Sequence, residues 1–171
     1  MIKLHYFLIA GLLLCLMPVQ AQDQTCGNDP YYQLLDFWVG KWNVYDLNGE
    51  LAGTNDITKI LEGCAISENW EDPQGNKGIS LFYVDNNSAK WKQVWVTQNA
   101  RRPGGQKEKT LVYYKPDSIL VFQGVLQAEG KSILDRTILT NKAADEVQQT
   151  IQISRDGGQN WETLFDAIYR K

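Results

Sequence analysis

From Lys41 onward, apolar and polar residues alternate in short segments that are cut by turn signals every 8 to 15 residues. The turns read Asn48-Gly49, Glu62-Gly63, Asp72-Pro73-Gln74-Gly75, Asp85-Asn86-Asn87, Arg102-Pro103-Gly104-Gly105, Pro116-Asp117, Glu129-Gly130, Asn141 to Asp145 and Asp156-Gly157-Gly158. A period of two is that of a strand, whose side chains point alternately to opposite faces, and Gly, Pro, Asn and Asp are what tight turns demand. The pattern predicts about ten strands, near 41–47, 50–61, 64–71, 78–84, 91–98, 109–115, 118–127, 131–140, 146–154 and 160–169. Short connections make each antiparallel to the last. Successive strands expose two edges unless the sheet closes, so an all-β, antiparallel up-and-down barrel of about ten strands is expected. A two-sheet sandwich is the alternative that strand count leaves open.

Ahead of the strands, Tyr31, Leu34, Leu35 and Trp38 recur at spacings of three and four, which predicts one short N-terminal helix ended by Gly40. Residues 22–30 are a polar leader, and residues 31–171 read as one domain without repeat or linker.

Lys3 precedes an apolar run from Phe7 to Met17, and Pro18-Val19-Gln20-Ala21 supplies the small residues of a cleavage site. Residues 1–21 are thus expected to be a signal peptide, which places the mature chain in the periplasm or outside the cell. The run is too short for a bilayer core that needs roughly 20 residues, so no transmembrane segment is expected. In a rival reading Cys15 is an acylated lipoprotein residue, but Leu14 stands where that processing wants a small side chain.

Cleavage after Ala21 removes Lys3 and no acidic residue, taking the formal charge from −3 to −4. An acidic surface argues against a nucleic-acid partner, whose phosphates are met by Lys and Arg. Cleavage also removes His5, the sole histidine. A domain without imidazole has no Ser-His or Cys-His nucleophile pair, no His-ligated zinc and no haem on a proximal histidine. No catalytic residue, metal ligand or cofactor is assigned. Cys26 and Cys64 remain, an even count suited to a disulfide in an oxidising compartment; two buried thiols are the alternative.

Phe37-Trp38-Val39-Gly40-Lys41-Trp42 sets two indoles around a glycine where the first strand opens. Gly40 is expected to allow a close turn and Trp42 to plug one barrel end. Gly40-Lys41-Trp42 is similar to the G-x-W string of lipocalins. The wider strings Asp36 to Asp46, Ile60 to Trp70, Lys90 to Val96 and Asp156 to Trp161 with Phe165-Asp166 resemble a family of bacterial exported lipocalin-like domains to which no activity is attached. That resemblance implies export and a barrel. More distantly, nitrobindin-type barrels carry W-x-G-x-G and bind haem through a histidine; here Trp42 replaces the second glycine, so His-ligated haem is not expected. Lipocalins often lay a late arginine on the opening tryptophan, a part that Arg170 would play.

Alternation puts Ile66, Glu68 and Trp70 on one face, beside Trp91, Gln93 and Trp95, and sets Arg136 between Leu134 and Ile138. If these point inward, Trp70, Trp91 and Trp95 wall a site for a small apolar or amphipathic ligand, with Glu68, Gln93 and Arg136 as anchors. Glu68 and Arg136 would then have to pair or meet water. The same residues could equally fill a solid core and leave a structural or interaction barrel. A third reading is an enzyme using Glu68 or Asp166 as base with Arg136 steadying an anion. Ser154 to Trp161 matches the S-x-D-x-G-x-x-W Asp-box, in which Asp156 closes a hairpin over Trp161, a structural role. Arg101, Arg102, Lys107 and Lys109 read as a solvated basic loop, and the turn oxygens of Asp72, Asp85, Asn86 and Asn87 match no calcium loop.

Overall fold

The computed structural model describes residues 25–102, 104–128 and 130–171; the expected signal peptide and Cys15 lie outside them. Among the described residues ten strands form: β1 (Gly40–Asp46), β2 (Leu51–Ile60), β3 (Ala65–Glu71), β4 (Lys77–Asp85), β5 (Lys90–Thr97), β6 (Gln106–Lys115), β7 (Ile119–Ala128), β8 (Lys131–Ala143), β9 (Glu146–Ser154) and β10 (Glu162–Arg170). Each pairs antiparallel with the next, and β1 pairs with β10. The sheet is therefore a closed barrel and not a sandwich. Closure leaves no bare edge, which is the physical reward for a chain of consecutive hairpins.

Alternation decides what goes inside. Along β4, Gly78, Ser80 and Phe82 face the lumen while Ile79, Leu81 and Tyr83 face outward. One half of the lumen is packed solid by Val44, Ile57, Ile66, Phe82, Trp91, Leu111, Leu120, Phe122, Leu139 and Val147.

The segment before β1 closes that packed end, but not as the helix its spacing predicted. It makes turns and two short 3-10 segments, Cys26–Asn28 and Asp36–Trp38. The recurrence of apolar residues instead reflects where they dock: Leu34, Leu35 and Trp38 are buried among the strands. The carbonyl of Tyr31, which a helix would use internally, accepts from Trp91 Nε1 at 2.9 Å. Trp38 meets Phe82 and Tyr169 edge to face at centroid separations of 5.5 and 6.1 Å. Its carbonyl accepts from Trp42 Nε1 at 2.8 Å, so the two indoles around Gly40 are locked together. Gly40 has φ of +143°, a region in which a side chain is strained, as the expected close turn requires.

Cys26 and Cys64 are bridged, with Cα atoms 4.9 Å apart. Closing a 38-residue separation stabilises the fold by roughly 4 kcal/mol in the chain-entropy account, and it ties the plugging segment to the start of β3. Arg170 does not lie on Trp42. It faces outward and pairs with Glu146 at 3.0 Å, while Lys171 Nζ sits 4.8 Å above the Trp42 ring. Among the described residues, no helix is long and apolar enough to cross a membrane.

Candidate functional site

Beyond the packed half, the lumen opens into a cavity of about 290 Å3. Trp70 at the end of β3, Trp95 at the end of β5, Ile151 on β9 and Phe165 on β10 form its walls. Trp70 and Phe165 meet edge to face at 6.3 Å. Both indoles lie across a glycine of an adjoining strand. A Cβ at Gly53 would stand 2.6 Å from Cη2 of Trp70, and one at Gly78 would stand 2.3 Å from Cη2 of Trp95. The glycines are what let the rings lie back against the wall and leave the mouth open.

The floor is a polar belt that separates the cavity from the apolar packing. Glu68 sits opposite Ser80 across β3 and β4, and Gln93 opposite Lys109 across β5 and β6. Asn55 Nδ2 donates to Glu68 Oε1 at 2.8 Å, Ser80 Oγ donates to Glu68 Oε2 at 2.5 Å, and Gln93 Nε2 donates to Ser80 Oγ at 3.1 Å. Asn55 also donates to the Tyr169 hydroxyl at 3.3 Å, which in turn donates to Gln149 Oε1 at 2.9 Å. Two buried acceptors in this belt, Asn55 Oδ1 and Gln93 Oε1, have no partner among the described residues.

Beside the belt stands a buried ionic cluster. Lys109 Nζ donates to Asp135 Oδ1 and to Thr137 Oγ1, both at 2.7 Å, and Lys107 Nζ lies 3.1 Å from Asp135 Oδ2. Asp135 is wholly buried and Lys109 only 3 % exposed, so neither charge is tolerable without the other. Burial pulls the Lys109 ammonium down to about 8 against the opposing pull of Asp135. Burial likewise pushes the Glu68 carboxyl up, against the bonds from Ser80 and Asn55 that favour its charged form. The Tyr169 hydroxyl is raised well above its ordinary value by the same desolvation, with the Glu68 charge adding to it.

Of the six predicted ligand-binding residues, Glu68, Trp70, Gln93 and Trp95 come together around the cavity. Trp91 does not. It lies at the closed end of β5, fully buried, edge to face with Tyr32 at 5.8 Å. Arg136 is turned away altogether. The inward residues of β8 are Asp135, Thr137 and Leu139, one position out of step with the expected face, so no Glu68–Arg136 pair exists. The arginine instead lies outside the barrel, its guanidinium 3.7 Å over the ring of Trp161 and its Nε donating to Gln152 at 2.8 Å. Asp166 also faces outward, accepting from Gln148 at 2.7 Å and Thr150 at 3.2 Å. Neither arginine nor aspartate is placed to assist Glu68.

Arg136 caps the Asp-box hairpin. There Asp156 accepts from the backbone of Gln159 and Asn160 at 3.0 and 2.9 Å and from Ser154 Oγ at 2.7 Å. Those donors hold its carboxyl far below the usual range. Trp161 Nε1 donates to the Gly158 carbonyl at 3.1 Å, completing the loop.

Lys107 and Lys109 correct the expectation of a solvated basic loop: both stand on β6 with side chains turned inward. Asp135, Thr137, Gln149, Ser80 and Asn55 were not singled out in the sequence. The available signal was Lys107, Lys109 and Leu111 at a spacing of two, which sets the lysines on the face of a buried leucine. Among the described residues no three His, Cys, Asp or Glu side chains cluster to hold a metal. The chain matches no known family model and no curated protein.

Proposed function

We propose that this chain is an exported binding protein that holds a small amphipathic molecule in the open half of its barrel. The observation that carries the reading is the contrast within one lumen. One half is filled and plugged, while the other keeps about 290 Å3 free behind two indoles seated on glycines. Aromatic walls over a few convergent polar groups are what small-molecule sites present. The Cys26–Cys64 bridge suits an oxidising compartment, and the resemblance to exported lipocalin-like domains agrees with that placement. A base role for Glu68 draws less support, because both its oxygens are already engaged by Asn55 and Ser80.

Native mass spectrometry of the protein purified from its own periplasm or medium tests the reading. A co-purifying small molecule is expected, retained less well after Trp95→Ala. If no mass is carried and tryptophan fluorescence ignores a panel of fatty acids, quinones and sterols, the reading fails.

A further inference from the structure

The polar floor has an unequal supply of hydrogen-bonding capacity. Lys107 Nζ has three N–H groups and, among the described residues, a single partner, Asp135. Gln149 is 6 % exposed and lines the cavity; its Oε1 is taken by Tyr169, while its Nε2 makes no hydrogen bond among the described residues. On the acceptor side, Glu68 is engaged at both oxygens, Asp135 lies behind its two lysines, and Gln93 Oε1 has no accessible surface. What the floor offers an occupant is therefore donors. A donor that borders the cavity with no protein partner is open to an acceptor that a ligand supplies.

The charge count narrows the class. Lys107 and Lys109 balance Asp135 and an ionised Glu68, so a single added negative charge is neutralised by one proton on Glu68. Burial pushes that carboxyl up, which eases uptake of the proton. A doubly charged phosphate would need a second compensating charge, and a cation would find Lys107 in its way. The apolar walls leave room for a hydrocarbon or aryl body beside Trp70, Trp95 and Phe165.

We infer that the ligand is a monocarboxylate whose carboxylate accepts from Lys107 Nζ and Gln149 Nε2 while its apolar body lies between the two mouth indoles. The inference rests on the binding reading above and assigns the chemistry of the bound end. The ionisable groups around Glu68 are Lys107 and Lys109 on β6, Asp135 on β8 and Tyr169 on β10. Of these, the lysines favour an incoming anion, and Glu68 is the group that takes up the proton.

Octanoate, octanol and octylamine share one body and differ only at the head. Titrated into the wild-type protein at neutral pH, octanoate is expected to bind at least tenfold more tightly than octanol, with octylamine weakest, read by tryptophan fluorescence and calorimetry. Calorimetry in buffers of different ionisation heat should show proton uptake with octanoate and none with octanol. Lys107→Met should bring octanoate to the level of octanol, and Lys107→Arg should keep the preference. Should Lys107→Met not fold, the wild-type ranking decides alone. Equal binding of octanoate and octanol, or preference for the amine, overturns the carboxylate assignment and leaves the binding reading standing. Failure of all three to bind overturns the assignment together with the apolar-body site beneath it.

Discussion

Trp91 and Trp95 stand four residues apart on the same face of the same strand, yet they belong to different regions of the molecule. Trp91 is sealed among Tyr32, the Tyr31 carbonyl and the apolar packing, whereas Trp95 is half-buried and borders open volume. The difference between them is what lies across the lumen. At one end the N-terminal segment, pinned by the Cys26–Cys64 bridge, supplies Leu34, Leu35 and Trp38 as filler. At the other end none of the described residues plays that part, and glycines on β2 and β4 hold the indoles aside. A barrel wall is thus indifferent to its contents, and occupancy is decided by what the chain sends into each mouth.

That comparison is most exposed to replacement of the two tryptophans. Trp91→Ala should cost about 3–5 kcal/mol of stability, as expected for excavating a packed core, and Trp95→Ala under about 2 kcal/mol, both read from urea unfolding. Equal losses would mean that the two halves are packed alike. Next in size is the ionic cluster between the halves. Lys109→Met should cost about 3 kcal/mol by leaving buried Asp135 short of a partner, and adding Asp135→Leu should recover much of it. A double variant as weak as the single one would show that the cluster is not a mutually dependent unit.

The smallest effect concerns Glu68. Its folded form holds a proton more tightly than the unfolded chain does. Its contribution is therefore complete at pH below the ordinary carboxylate range and is lost as pH rises through the raised value. Glu68→Gln lacks that titration, so its stability relative to wild type should improve steadily from acid to neutral pH. A difference independent of pH would show that burial does not govern this carboxyl.

Much of the architecture was legible in the residues. The ten strands appear because a period of two and Gly/Asn/Asp turns are local properties, and closure follows from antiparallel neighbours with no covering layer. The faces were harder to read. β8 carries apolar residues on both sides, Leu134 and Ile138 outward and Leu139 inward, so hydrophobicity could not tell inside from outside. The lumen there is ionic, which inverts the usual rule: Asp135 is wholly buried while Arg136 between those apolar neighbours is not. Lys107 and Lys109 were hidden for the same reason, since a charged segment next to Gly104-Gly105 has the composition of a loop. The spacing of Tyr31, Leu34, Leu35 and Trp38 matched a helix because a docked irregular segment can bury the same positions. Helix periodicity reports which residues are covered, not the backbone that carries them.

The seam of the barrel joins the two extremes of its sheet, with Asn43 to Asp46 on β1 aligned to Arg170 to Ala167 on β10. Until β10 is available, every shorter intermediate has two raw margins and an unfinished wall. The protein therefore gains little by beginning to fold early. A polypeptide kept extended until β10 can dock forfeits no stable partial product, and deleting that strand should reopen the whole cylinder.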